Sequence, residues 1–445
     1  MAVKTLMVEN FKSFEKVNID FKNLNIFIGS NSSGKSNFVE IFKFLHDLNH
    51  HGLDIAISKQ GGFEYLRNMT LNNSKPLKIK LSSNNPGIFP IKLSDKENKE
   101  LIGFVNETNY SFSMRFNDDN ETYDILEDEL NLHAQFVYTE PLGEIYDKIK
   151  DILNGLKIGD IDKSETKLSN GEIVGNGIIT ISNKSGKLSL EMENKGINLI
   201  KEDLFPTKIL EYAESDLKEG SSCLLINTVI SMIPIPWGEN ITDISFYDFD
   251  PKSCKNTTKL TDNVPLKENG ENLSIILEHI LKNDKDKKKF FNLLNDLLPY
   301  VENMGIKNFV DNSRIFELRE SYSKENCIPA SLVSDGSSNI IALIVALYFQ
   351  KGDLIFIEEP ERNIHPKLLS KVVDMMKDSS KNHQIFTTTH NPEMLKHVDP
   401  ESIYFISRDD NGYSIITKPS EEEDLKPLIE DIGIEELFIE DILGV

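Results

Sequence analysis

The sequence predicts an α/β protein built around a phosphate-binding loop, and three stretches carry that prediction. Gly29-Ser30-Asn31-Ser32-Ser33-Gly34-Lys35-Ser36 has the spacing G-x-x-x-x-G-K-S. It follows an apolar run, Leu24 to Ile28, and precedes residues 37–45, whose apolar members recur at helical spacing. Leu354-Ile355-Phe356-Ile357 is the continuous apolar run of a strand buried on both faces of a parallel sheet, and it ends in Glu358-Glu359. Gln384 to Thr389 is another strand-like run, ending at His390. Strands alternating with helices specify an α/β core with a parallel sheet.

The chemistry follows from charge. A polyphosphate needs several convergent N–H donors, and glycines let the backbone approach it without Cβ collisions. The helix N-terminus adds positive dipole. Lys35 is expected to reach the β- and γ-phosphates of a nucleotide, and the Ser36 hydroxyl to ligate Mg²⁺. A Gly/Ser turn before a helix meets this spacing by chance, so the flanking strand and helix decide the assignment.

A carboxylate ending a buried strand can hold Mg²⁺, and an adjacent one can accept a proton from an attacking water. Glu358 is therefore expected as the metal-side acid and Glu359 as the general base. Two solvated glutamates after a strand are ordinary in isolation; the phosphate loop in the same chain favours the functional assignment. His390 ends the next strand-like run, where a sensor of the γ-phosphate is wanted, although a lone histidine is more often structural.

Taken in order, Thr5–Val8 and Val17–Phe21 are short strands bracketing Asn10-Phe11-Lys12-Ser13-Phe14. Residues 47–73 are mixed, with a turn at Gly61-Gly62. Residues 75–136 alternate apolar and polar, a strand-and-turn pattern. Tyr146 to Leu156 reads as a helix, and Gly159–Gly196 as a glycine-punctuated hairpin. Asn272–Leu281 and Phe290–Val301 read as two amphipathic helices. Ser334-Asp335-Gly336-Ser337-Ser338 is a small-residue loop suited to an anion, ahead of an apolar helix over residues 339–347.

Composition sets the bounds. At 445 residues the chain is long enough for two or three domains. No apolar run reaches membrane-spanning length, so an integral membrane protein is not expected. Cys223, Cys254 and Cys327 are widely spaced and odd in number, which favours a reducing cytosol and no zinc site. A net charge of −23 argues against a surface that binds nucleic acid all over, though not against a local basic groove. Part of the excess lies in a tail opening with Glu421-Glu422-Glu423-Asp424, read as a solubility or partner-docking segment.

The motifs, in this order, resemble ABC-type ATPases of the SMC/RecF/OLD-like group, the AAA family ATPases of prokaryotic DNA metabolism and defence. The matching residues are Asn10–Phe14, the Walker A loop Gly29–Ser36, the signature-like Ser334–Ser338, the Walker B run through Glu358-Glu359-Pro360-Glu361-Arg362-Asn363-Ile364-His365-Pro366, and Thr388-Thr389-His390-Asn391. Ile244–Pro251 and Glu271-Asn272-Leu273 resemble the region between them. The resemblance is weak from about residue 73 to 240.

The fold it implies is an ABC-ATPase head, a mixed sheet with a P-loop core, carrying an inserted α+β or helical domain. The expected boundaries are 1–136 and 311–420 for the two parts of the head, 137–310 for the insertion, and 421–445 for the acidic tail. The resemblance implies ATP and Mg²⁺ as cofactors and a head-to-tail homodimer or higher oligomer around ATP. Gly29, Asn31, Ser32, Ser33, Gly34, Lys35, Ser36 and Asn37 would hold ATP, with Lys12 and Ser13 approaching it. Ser334, Gly336 and Ser337 of the second protomer would cover the γ-phosphate, and His365 falls where the group communicates across the dimer. Glu359, His390 and Lys35 would be catalytic; Ser36, Glu358 and the glutamine-loop candidate Gln60 would be on the metal side.

Departures narrow the relatives. The signature lacks the second glycine and the glutamine of transporters, and the Walker B acid is glutamate, as in many OLD-like ATPases. No heptad run supports an SMC arm. Too few residues follow His390 for a TOPRIM domain, so any nuclease is expected on a separate chain. The leading expectation is a cytoplasmic ATPase that senses nucleic acid, DNA or RNA, or a phage factor and controls a nuclease, as in anti-phage systems of the Septu and PARIS types. The alternatives are a RecF-like DNA-repair ATPase acting on DNA directly, favoured by DNA-stimulated turnover without a partner, and an ATP-dependent scaffold that barely hydrolyses ATP.

Overall fold

The computed structural model describes residues 2–71, 75–84, 87–91, 100–117, 122–139, 172–184, 187–197, 244–259, 264–308, 312–323 and 326–440. The helix expected at Tyr146–Leu156 lies outside these residues. The chain opens with β1 (Ala2–Phe11), β2 (Phe14–Asp20), β3 (Leu24–Ile28), α1 (Lys35–His51), α2 (Leu53–Lys59) and α3 (Phe63–Leu66). Next come β4 (Leu77–Asn84), β5 (Gly87–Ile91), β6 (Glu100–Asn117), β7 (Thr122–Thr139), β8 (Glu172–Lys184) and β9 (Lys187–Lys195). The following segment holds β10 (Ile244–Tyr247), α4 (Pro251–Cys254), β11 (Thr258–Lys259), α5 (Leu273–Lys282), α6 (Asp284–Leu297), β12 (Val301–Asn308), β13 (Ser313–Glu320) and β14 (Ile328–Pro329). Last are α7 (Asp335–Tyr348), β15 (Leu354–Glu358), α8 (Leu369–Ser379), β16 (Gln384–Thr389), β17 (Ile403–Arg408), β18 (Ser414–Thr417), α9 (Lys426–Ile432) and α10 (Ile434–Ile439).

The molecule divides into two compact units. The first comprises residues 1–22, 36–243 and 408–416. Its sheet is antiparallel throughout, in the order β2-β1-β4-β6-β7-β8-β9 with β5 beside β6. Alternation sets its register: Leu77, Ile79 and Leu81 are buried while Lys78 and Lys80 face outward in part. α1 buries Phe38, Phe42 and Leu45 at helical spacing, and Phe21 packs edge-on against Phe38 with ring centroids 6.2 Å apart.

The second unit comprises residues 23–35, 244–407 and 417–445. Its core is a parallel sheet in the order β10-β15-β16-β3-β17. β3 and the first four residues of β15 are buried without alternation, the pattern expected of strands covered on both faces. Phe356 stacks on Phe386 across neighbouring strands, with centroids 4.5 Å apart. The fold is therefore mixed α/β with a P-loop core, as the sequence predicts.

Two helices start earlier than their apolar patterns indicate. α6 begins at Asp284 because the Asn283 side chain accepts from the Lys285 and Asp286 N–H groups, at 3.0 and 3.2 Å. Its polar first turn faces solvent, and it ends at Leu297, so Val301 opens β12 instead. α7 begins at Asp335 because the Ser334 hydroxyl accepts from Ser337 N–H at 3.2 Å. Gly336, Ser337 and Ser338 therefore form a helical first turn and not a loop. In the acidic tail, Leu425, Ile434 and Leu437 are buried, and Phe438 packs on Phe405.

Candidate functional site

In the parallel sheet the phosphate loop leaves the carboxyl end of β3, and Glu358 ends β15, two strands away. The carboxyl edge of such a sheet is where ligands bind. Gly29 is packed so closely that a Cβ there would collide with the Ile406 carbonyl. Ser32 and Gly34 take left-handed conformations, with φ of 66° and 122°. Ser33 and Gly34 are buried, whereas Ser30, Asn31 and Ser32 are exposed. Lys35 folds over the loop, its Nζ donating to the Gly29 and Ser30 carbonyls at 2.9 Å each. Burial lowers its pKa against the opposing pull of Glu359, Glu361 and Glu358, so it lies within electrostatic reach of all three.

At the end of β15 the chain turns sharply. Glu359 has φ 45°, and its N–H bonds the Thr388 carbonyl of β16 at 2.8 Å. One carboxylate oxygen, Oε1, accepts from His390 Nδ1 at 3.0 Å. The other, Oε2, accepts from Arg362 Nε and Nη2, at 3.3 and 3.1 Å. Burial pulls the Glu359 carboxyl upward, but the hydrogen bonds and charges of Arg362 and His390 outweigh it and hold the group below its ordinary pKa. Arg362 also donates from Nη1 to the Phe249 carbonyl at 3.0 Å and pairs with Asp248 at 2.9 Å. Glu358 is half-buried at the strand end.

Glu361 is 6% exposed. Its Oε1 accepts from the Thr389 hydroxyl, which in turn accepts from Asn391 N–H at 3.0 Å. Its Oε2 has no hydrogen-bond partner among the described residues, and burial pushes its pKa up. The signature turn packs on the same segment: a Cβ on Gly336 would meet the Asn363 carbonyl. Buried Asn339 donates to the Pro360 and Arg362 carbonyls, at 3.2 and 2.8 Å. Ser337 is buried, its hydroxyl engaged by Ser334 at 2.6 Å and Tyr300 at 2.8 Å. Asp335 pairs with Lys255. His365 is exposed and caps the following turn by accepting from Lys367 N–H.

The remaining predicted residues belong to the first unit. Asn37 Nδ2 donates to the Ser13 hydroxyl at 2.8 Å, and Ser36 is exposed. Lys12, at φ 46°, lies 3.7 Å from Glu40, which also accepts from Gln60 Nε2 at 2.8 Å. Burial lowers the Lys12 pKa despite Glu40. Gln60 is buried and its Oε1 has no hydrogen-bond partner among the described residues.

The structure thus joins Glu359 with His390, and Lys12 with Gln60 through Glu40. Sequence reasoning missed Arg362, Glu361, Asn339 and Glu40 as site-shaping residues. The available signal was a glutamate and an arginine inside a five-residue turn bounded by buried Pro360 and Ile364.

The profile of the AAA ATPase domain family matches residues 1–395. The chain belongs to that family. The motifs that resemble the SMC/RecF/OLD-like group, from Asn10 to Asn391, all fall within the matched residues. Among curated relatives it is similar to Endonuclease GajA of Bacillus cereus (strain VD045), with 24% identity over 412 residues, 90% of this chain and 57% of that protein. It is also similar to the DNA replication and repair protein RecF of Lactococcus lactis subsp. lactis (strain IL1403), 44% identical over 46 residues, 10% of this chain and 13% of RecF. The chain therefore spans little more than half the length of GajA and a small part of RecF. Solved structures with similarity include an Smc head bound to the C-winged helix domain of ScpA, at 15% identity, coverage of 96% and 100%, and a TM-score of 0.47. The SMC head domain from Thermotoga maritima gives 12% identity, coverage of 94% and 99%, and a TM-score of 0.38. No helix of the described residues is long and apolar enough to cross a membrane.

Proposed function

We propose that the protein binds and hydrolyses ATP, dimerises around it, and thereby regulates nucleic-acid processing as the ATPase component of an anti-phage system with a separate nuclease. One observation carries the enzymatic part: Glu359 and His390 are hydrogen-bonded at 3.0 Å just after neighbouring strands beside the phosphate loop, with Glu359 within electrostatic reach of Lys35. A carboxylate so placed takes a proton from water, and a histidine beside it senses the phosphate that the water attacks. The sequence similarity to an endonuclease and to RecF supports a nucleic-acid role.

Within the second unit the donor set fits a magnesium polyphosphate: a hard oxygen donor at Glu358, and Lys35 with the loop N–H groups for phosphate. Mg²⁺ would neutralise charge on the phosphate oxygens. Lys35 binds and orients the phosphates; Glu359 holds the proton removed from water at its carboxylate.

Measuring ATP turnover and oligomeric mass for the native chain and Glu359→Gln, with and without DNA, tests this. A general base contributes about 10²–10⁴-fold, so the variant should lose turnover on that scale and accumulate an ATP-bound dimer. Unchanged turnover in the variant overturns the base assignment. A mass unaffected by ATP overturns the dimer. DNA-stimulated turnover with no protein partner would favour the RecF-like alternative.

A further inference from the structure

We propose that Arg362 is the positioning residue of the site: its guanidinium fixes the Glu359 carboxylate so that Oε1, on the His390 side, is the oxygen that receives the proton. The proposal rests on Glu359 being the general base.

Lone-pair counting selects the oxygen. A carboxylate oxygen accepts about two hydrogen bonds. Oε2 takes both of its bonds from Arg362, through Nε and Nη2. Oε1 takes one, from His390, and retains one for water. The water that loses its proton therefore docks at Oε1, next to the histidine.

The same guanidinium explains how Glu359 keeps its backbone conformation. A left-handed non-glycine residue is strained and persists only when its surroundings over-determine it. Here the turn is closed by Arg362 N–H to the Glu359 carbonyl at 3.0 Å, and the side chain returns to the carboxylate three residues back. Its far edge is anchored on Phe249 and Asp248, just after β10, the neighbour of β15. A planar fork spans both anchors at once; a lysine ammonium has no such second edge.

A purely structural arginine would lower stability without selecting the chemical step, and kinetics separate the two roles. ATP turnover, KM and thermal midpoint are measured on the full chain for native protein, R362Q, R362K, E359Q and R362Q/E359Q. Misplacement of a catalytic group by about 1 Å costs on the order of 10²-fold, so R362Q should lose roughly 10–100-fold in kcat with KM for ATP nearly unchanged. R362K should not rescue it. R362Q should add nothing in the E359Q background, because it acts through Glu359. Should R362Q fail to fold, D248N keeps the arginine and loosens its anchor, and a smaller kcat loss with unchanged KM is expected.

Multiplicative losses in the double variant, or native kcat in R362Q beside an inactive E359Q, overturn the positioning role alone. Native turnover in E359Q overturns the base assignment and the positioning role together.

Discussion

The loops that follow β3 and β15 leave the same edge of one parallel sheet, on either side of β16, and acquire their shapes by opposite means. The phosphate loop places glycine where the backbone is most crowded, at Gly29, and at one of its two left-handed positions, Gly34, the other being Ser32. The acidic loop places Glu359 and Asn363 in left-handed conformations, at φ 45° and 60°, with no glycine between them. Tertiary contacts enforce that shape: Thr388 O holds the Glu359 N–H, Asn339 holds two carbonyls, and Arg362 ties the carboxylate to the segment after β10. One loop is shaped by its own residues, the other by its neighbours. Perturbing the neighbours should therefore affect only the second.

The largest effect belongs to the phosphate loop itself. Lys35→Ala removes the cation that bridges its carbonyls, and loss of one such charge-stabilising group costs about 10²–10³-fold in rate. Turnover assays with ATP titration should show that loss, and a weaker one would break the assignment of Lys35. Next comes Asn339→Leu, which leaves the Pro360 and Arg362 carbonyls without their donor. Unsatisfied buried polar groups cost about 1–3 kcal/mol each, so for the two carbonyls denaturant unfolding should show a loss of about 2–6 kcal/mol. If ATP binding then weakens as much as turnover, the two loops are not independently shaped.

Gly336→Ala should cost on the order of 1–3 kcal/mol, since the new methyl meets the Asn363 backbone and overpacking carries that penalty. Thermal unfolding tests it, and a neutral outcome would mean that the signature turn is free to shift from the acidic loop. Asn363→Gly should change stability by less than about 1 kcal/mol, because relieved left-handed strain is offset by a more flexible unfolded chain.

The smallest effect lies outside both loops. His46 on α1 is pushed down to about 4 by burial, then by His50, with Lys59 and His51 adding and Asp47 opposing. The folded pKa is below the unfolded one, so the unfolded chain binds the proton first. Stability is intact above about pH 6.5 and falls as the pH drops towards 4. The ring is partly exposed, which screens the loss. A pH series of unfolding midpoints, flattened in His46→Gln, checks the sign.

Local sequence alone settled much of this protein. Apolar runs without alternation placed β3, β15 and β16 in a parallel sheet, and the glycine spacing placed the phosphate loop, because burial on both faces and crowding beside a ligand each demand particular residue types. It also singled out Glu359 as the candidate general base and His390 as the candidate sensor, because each follows directly on a buried strand. The capping side chains of Asn283 and Ser334 were visible too, but their N–H partners form only once the helix does, so the starts of α6 and α7 were misplaced. Only the tertiary structure revealed that Arg362 clamps Glu359, that Asp248 anchors Arg362, and that Asn339 braces the turn. These partners lie from 3 to 114 positions apart in the chain, and a hydrogen bond depends on direction and distance in space, which residue spacing does not encode.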